Sequence, residues 1–413
     1  MFVFRSRAAR RSALAFSSLL LLATGCRRNS FPDVPDGYRE FAYVSNGAAN
    51  TVSVLDLVYL RPDRTLQVGL NPTGLAVNPV RDEVYVVNSG SATQSGSVSV
   101  IDSTANRVVA TIPVHKLPYF IAVEPSGHRA FVANSGSNSV SVLDLDRRRE
   151  IAVAGTGEQP GLARISLDGR SLVVTNRGSN SVSIYNVATY DATASGGKVL
   201  ALRSTYSGCP GATDAVILPD SSKAFIACSS GHQVMAIALA AEPGSWPARQ
   251  DSAALSDHLL TFLDVGTNPV HLAMKPDGGE IFSSNFASNS ISEIDTWNNQ
   301  IGGTYPIGDK PVHAIVSGDN SSLWVSNFGA DAIGIYSIDD GRLISSVRTG
   351  SAPDALAFSA DEHLLLAADA HSGDVAVIRT QGKLGALSAT LFTTLPAGPS
   401  PNAIVVKASA VKK

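Results

Sequence analysis

Charged side chains are scarce, 16% of the 413 residues, and no apolar run approaches the length that spans a bilayer. Gly, Ser, Asn and Val are plentiful instead, a turn-rich and β-rich composition that excludes a disordered or long-helical chain. Cysteine is nearly absent. Cys26, Cys209 and Cys228 form no CxxC or CxxCH, which excludes a zinc ribbon, a thioredoxin-type dithiol and covalently attached c-type haem. A Gly-rich phosphate loop, HExxH, GxSxG and a Ser/His/Asp spacing are also missing, so no standard catalytic set marks the chain as an enzyme.

Charge of one sign is missing from the N-terminus. Arg5, Arg7, Arg10 and Arg11 precede an apolar stretch from Ala13 to Ala23 with no acid among them. A basic start and a short apolar run suit a secretory signal, residues 1–25, rather than a membrane span. Without that segment the chain carries 28 basic against 35 acidic side chains, and this net negative charge exerts no general pull on nucleic acid. Residues 26–37 hold prolines and aspartates with few apolar groups and read as a tether.

What the chain does have is repetition. Phe131–Leu145 reads FVANSGSNSVSVLDL, two short alternating strands about a Ser/Gly/Asn turn, which is a hairpin. Equivalent anchors close the first strand at Asn46, Asn88, Asn134, Asn176, Cys228, Asn285, Asn327 and Asp369, with a base spacing of 42. Sixteen residues before each anchor from the second onward stand Pro72, Pro118, Pro160, Ala212, Pro269, Pro311 and Pro353, each opening an apolar run. A closing strand follows each hairpin, as at Leu343–Val347. Four strands at this period predict an all-β propeller blade. The first hairpin lacks a Pro-led strand and the C-terminus has a spare one at Pro401, so the last strand is expected to complete the first blade and close the ring. The count is eight blades over residues 38–407, with a tail at 408–413; seven is the fallback if the irregular fifth unit is no blade. The anchors are expected to cap turns through nearby backbone groups.

Tyr43-Val44-Ser45-Asn46, Val174-Thr175-Asn176 and Val325-Ser326-Asn327, each followed by SVSV-like strands, resemble the YVTN-type β-propeller repeats over about residues 41–406. That resemblance implies the fold and leaves activity open. Leu21-Leu22-Ala23-Thr24-Gly25-Cys26 resembles a bacterial lipobox, which implies that Cys26 is lipidated and the chain held to a membrane by that anchor alone. Arg27 stands where an inner-membrane lipoprotein often has Asp, so the expected location is the outer membrane or cell surface, facing the periplasm or exterior.

The innermost strands should be the Pro-led ones, and four residues break their pattern on one strand side: Arg164, Asp214, His271 and His313, on consecutive blades. One reading is a polar crescent at the mouth of the central channel, where the histidines and Asp214 bind a divalent metal, Arg164 takes an anion, or one histidine is an axial haem ligand. The other is an Arg164–Asp214 ion pair between blades, with the histidines bonded to backbone. His232, His371, His115, His128 and His363 fall in turns and links and read as solvated. The face that carries the hairpin turns after the anchors and the links into the Pro-led strands is called upper, and Cys209 and Cys228 both fall near upper ends of adjacent strands, where a disulfide or two free thiols fit. The leading functional reading is a non-catalytic binding or scaffold module whose partner is an envelope protein or a small extracytoplasmic ligand. Two others stand beside it. Haem d1-containing nitrite reductase domains resemble eight-bladed propellers of this kind, which implies a redox protein; some lactonases use related seven-bladed propellers, which implies a hydrolase.

Overall fold

A computed structural model describes residues 35–190, 199–240, 256–381 and 388–409. The expected signal segment, Cys26, most of the tether, residues 191–198 and 241–255 in the two longest gaps between repeats, and residues 382–387 and 410–413 lie outside them. The chain divides into two compact units, Met1–Tyr38 and Arg39–Lys413. Of the first, only the last four residues are described, ending in a turn where the Tyr38 amide donates to the Pro35 carbonyl at 3.0 Å.

The second unit is eight four-stranded antiparallel sheets in a ring. Blade 3 is representative: Pro118–Val123, Arg129–Asn134, Ser139–Asp144 and Arg149–Gly155 run from the channel outward. The two middle strands are buried throughout, whereas the outer strand alternates between exposed and partly covered residues. Successive residues of a strand face opposite sides. Phe131, Ala133, Val140 and Val142 therefore pack towards blade 4, and Ala130, Val132 and Leu143 towards blade 2. Eight apolar clusters result, one between each neighbouring pair of blades. Each fully buried Val, Leu, Ile or Phe contributes roughly 1.5–3 kcal/mol, so the ring is held by these interfaces.

The C-terminal strand Pro401–Ser409 pairs antiparallel with Arg39–Asn46 and becomes the innermost strand of blade 1. The ring is closed by this pairing, and the strand runs on to Ser409, past the expected end at 407. The irregular fifth unit is a complete blade: Ala212–Ile217, Lys223–Cys228, Gln233–Ala238 and His258–Asp264. Eight blades stand, and the seven-bladed fallback is excluded.

The anchors hold their turns differently from expectation. Asn134 Nδ2 donates to Ser139 Oγ at 3.4 Å and Ser141 Oγ at 2.8 Å, and Asn46, Asn88, Asn176 and Asn285 make the same two bonds, with Thr51 in the first place for Asn46. They tie the hairpin strands through hydroxyls rather than capping backbone. The second hairpin strand presents two hydroxyls there in the SVSV-like pattern; Asn327, which has Ala332 and Gly334 at those places, donates to the Ile307 carbonyl at 3.3 Å instead.

A second residue locks blade to blade. Asn138, with φ of 49°, ends the turn in the left-handed region that Asn tolerates, and its Oδ1 accepts the Gln159 amide at 2.9 Å. Gln159 precedes the next inner strand and is itself left-handed, φ 49°. Asn50 with Asn71, Asn289 with Lys310 and Asp331 with Ala352 repeat the bond.

Candidate functional site

Every inner strand starts near the upper end of the ring, and the residues just after its first position line a cavity of about 680 Å³ at the channel mouth. Arg164, Asp214, His271 and His313 all line it. Asp214 is buried and bonded on three sides. Its Oδ1 accepts the Ala215 amide at 2.8 Å, its Oδ2 accepts the Leu272 amide of the next blade at 2.9 Å, and Arg164 Nη2 of the previous blade lies 3.5 Å from Oδ1. A single carboxylate thus joins blades 4, 5 and 6. The Arg164 Nε donates to the Ala215 carbonyl at 3.1 Å, and its guanidinium carbon sits 4.6 Å from the Phe120 ring centre, a cation–π contact.

The histidines lie side by side with ring centres 4.0 Å apart. His271 Nδ1 accepts the Ala314 amide at 3.4 Å, so in the neutral ring Nε2 carries the proton and faces Asp214 Oδ2 at 3.7 Å. Burial, reinforced by the Arg164 charge, pushes the His271 imidazole down to about 3. Burial first, then His271 and Arg164, holds His313 well below its ordinary range against the opposing pull of Asp214. Both rings are neutral at physiological pH. Ser326 Oγ accepts the His313 amide at 3.0 Å and donates to the Asp354 carbonyl at 2.8 Å, while His313 Nδ1 is buried with no partner.

Both sequence readings meet here, because the ion pair and the backbone-bonded histidine exist and the residues still line one cavity. The metal reading fits poorly. Among the described residues no three His, Cys, Asp or Glu side chains converge as a ligand set, and Asp214 spends its oxygens on two amides. His271, protonated at Nε2, offers a donor rather than a lone pair, so an axial haem ligand would have to be His313.

Two residues that the strand pattern does not single out complete the mouth. Arg177 follows the Asn176 anchor and lies 4.8 Å over the Tyr119 ring; its Nε is buried without a partner. Asp354, second in the inner strand Pro353–Phe358, lines the cavity from blade 8, and burial raises its carboxyl to about 6. Aligning columns would have exposed both: Arg177 stands where other blades have Gly47, Ser89, Ser135, Ser229, Phe286, Phe328 or Ala370, and Asp354 is the one residue in its column that is charged at neutral pH.

The remaining histidines have partners in the frame. His232 takes the place of the turn Asn in blade 5 and accepts the Asn268 amide at 3.2 Å through Nδ1. His371 packs edge-on to Phe328, His128 stacks on Tyr190 beside Asp146, His115 lies 3.4 Å from Glu150, and His363 pairs with Asp361. Cys209 and Cys228 are joined in a disulfide.

Comparison with known proteins bears on the fold. The family model for the seven-bladed β-propeller lactonases matches residues 308–406, about a quarter of the chain. No curated protein matches. Among solved structures, dihydro-heme d1 dehydrogenase NirN in complex with DHE is similar at 17% identity and a TM-score of 0.68, covering 94% of this chain and 78% of that one. A putative 6-phosphogluconolactonase from Bacteroides fragilis is 15% identical at a TM-score of 0.59, covering 91% of this chain and 100% of the other. Hydrazine synthase of Kuenenia stuttgartiensis is 21% identical at 0.51, covering 83% and 92%. At these identities the likeness shows a β-propeller and nothing of the chemistry.

Proposed function

We propose that the chain is an exported, lipid-anchored propeller that binds a small molecule at its channel mouth without converting it. One observation carries this. Arg177 Nε and His313 Nδ1 belong to residues that line a single 680 Å³ cavity, and both are buried without a protein partner. Buried polar atoms are almost always satisfied, and a bound polar ligand would supply what these two lack. The location at the outer membrane or cell surface rests on the lipobox resemblance and Arg27.

The test is a thermal-shift screen with small organic acids, amines and amino acids, run on the wild type and on Ala403→Phe. Ala403 lines the cavity in the register where blade 3 carries Phe120, so the substitution fills the mouth with a side chain the fold already accommodates. Compounds that stabilise the wild type should leave the filled variant unmoved. Equal shifts in both proteins would place binding elsewhere and end this reading.

Lactone hydrolysis is the second reading, because the lactonase family match spans His313 and Asp354, which both line the cavity. Five- and six-membered lactones incubated with the protein separate the two: acid release lost in Asp354→Asn supports hydrolysis, and intact lactone supports binding alone. The haem reading has one residue behind it, His313, and a Soret band in the purified protein is its signature.

A further inference from the structure

Blades 4 and 8 are four places apart in a ring of eight, so they face each other across the channel. Blade 4 brings Arg177 to the mouth. Its side chain makes no hydrogen bond or ion pair with any described residue, and it lies over Tyr119. Blade 8 brings Asp354, whose carboxyl likewise has no hydrogen-bond or ion-pair partner among the described residues. Two covered arginines elsewhere are paired with carboxylates. Arg129 holds Glu124 at 2.7 Å, and Arg203 holds Asp257 at 2.7 Å. A cation and an anion in opposite walls of one cavity, each unanswered by the protein and too far apart to answer each other, form a dipolar site. Tyr119 lies under this cation, and Phe120, under Arg164 of the Asp214 pair, lines the same cavity.

Taking the channel mouth as the ligand site, we propose that its ligand is a zwitterion with a carboxylate at one end, an ammonium group at the other and a flat apolar body between. The carboxylate docks on Arg177, where a guanidinium fork suits it. The ammonium group meets Asp354. The body lies along the Tyr119 and Phe120 rings. His271 and His313 on blades 6 and 7, both neutral, border the site without adding charge. A simple carboxylate would leave Asp354 facing it with like charge, and a simple amine would leave Arg177 unpaired. The raised Asp354 carboxyl gives a further readout: it is largely protonated at pH 5 and ionised at pH 7.5, so a cationic end should be favoured more at the higher pH.

Isothermal titration calorimetry of the full chain tests this with 4-(aminomethyl)benzoate, its longer biphenyl analogue, the two parent carboxylates and benzylamine. At pH 7.5 the better-fitting zwitterion should bind about tenfold more tightly than its parent carboxylate, and the gap should narrow at pH 5. Asp354→Asn should erase the gap while keeping carboxylate binding, and Arg177→Gln should weaken both by about tenfold or more. Both variants are checked by thermal melting first. Zwitterion and carboxylate binding alike in the wild type, with Arg177→Gln weakening both, would overturn the zwitterion and leave the mouth as an acid site. Binding that survives both substitutions would overturn the mouth reading as well. Failure of all five probes to bind would overturn the zwitterion inference.

Discussion

Asp369 stands at the anchor position that six other blades give to asparagine, and the difference is a single group of atoms in a buried turn. Its Oδ2 accepts the Gly350 amide at 3.0 Å, its Oδ1 has no partner, and Asp374 and Ala376 replace the two hydroxyl residues of five other blades. Burial pushes this carboxyl up to about 7; the Gly350 amide opposes, and Asp374 adds to the rise. A folded-state value above the unfolded one means stability that is full below the ordinary carboxylate range and lost as pH rises through about 7. Asp369→Asn should therefore stabilise the protein by on the order of 2 kcal/mol at pH 8, with little gain at pH 4. Its amide can accept from Gly350 and donate to Asp374. Urea unfolding at the two pH values measures this, and an equal change at both would show that titration is not the cause. His271 and His313 act with the opposite sign. Their depressed values give stability that is full above the ordinary histidine range and is lost as pH falls below it.

At the scale of the element, the hairpin and the link that follows it form one locked unit. Asn138→Ala removes the acceptor of the Gln159 amide and puts at φ of 49° a residue that tolerates the left-handed region less well than Asn. The expected cost is about 1–2 kcal/mol by chemical denaturation. Asn138→Gly, which removes the strain and not the missing acceptor, should cost less; the reverse order would refute the account of the turn. Much of this frame was legible in the sequence, because period, anchor and Pro-led strand are local patterns that recur. Two things were not. The partners of five anchors are hydroxyls on the following strand, five and seven residues on for Asn46, Asn134, Asn176 and Asn285 and nine and eleven on for Asn88, which a backbone-capping rule does not anticipate. The contact between an anchor and the residue nineteen before it, made in blades 2, 4, 6, 7 and 8, is also hidden, since only the folded chain brings Gly69 to Asn88 or Gly157 to Asn176 with no room for a β-carbon. That register explains the disulfide in hindsight: in blade 5 Cys209 and Cys228 occupy this same pair of places. Arg177 and Asp354 escaped because they lie outside the strand side on which the other four residues stood out.

For the whole molecule, closure is what turns eight weak sheets into one body, and it depends on nine C-terminal residues. Deleting Pro401–Ser409 would expose the inner edge of Arg39–Asn46 and uncover the apolar clusters that join blade 1 to blades 2 and 8. Such a chain should unfold in a broadened transition at lower urea, or associate; a sharp transition at the wild-type midpoint would mean that closure contributes nothing. Closure also creates the mouth, because blades 4 and 8 face each other only in a complete ring. The central claim, that the buried polar residues of this mouth are the ligand site, is tested most directly by imidazole resonances. Spectra of ¹³C-labelled histidine Cε1–H groups would be recorded from pH 5 to 7.5 and then with 4-(aminomethyl)benzoate and its biphenyl analogue. The two signals lost in His271→Gln and His313→Gln should stay unmoved by pH and be the ones that shift when ligand is added. Ligand shifts confined to the other histidines would contradict it, and no shifts at all would overturn the zwitterion.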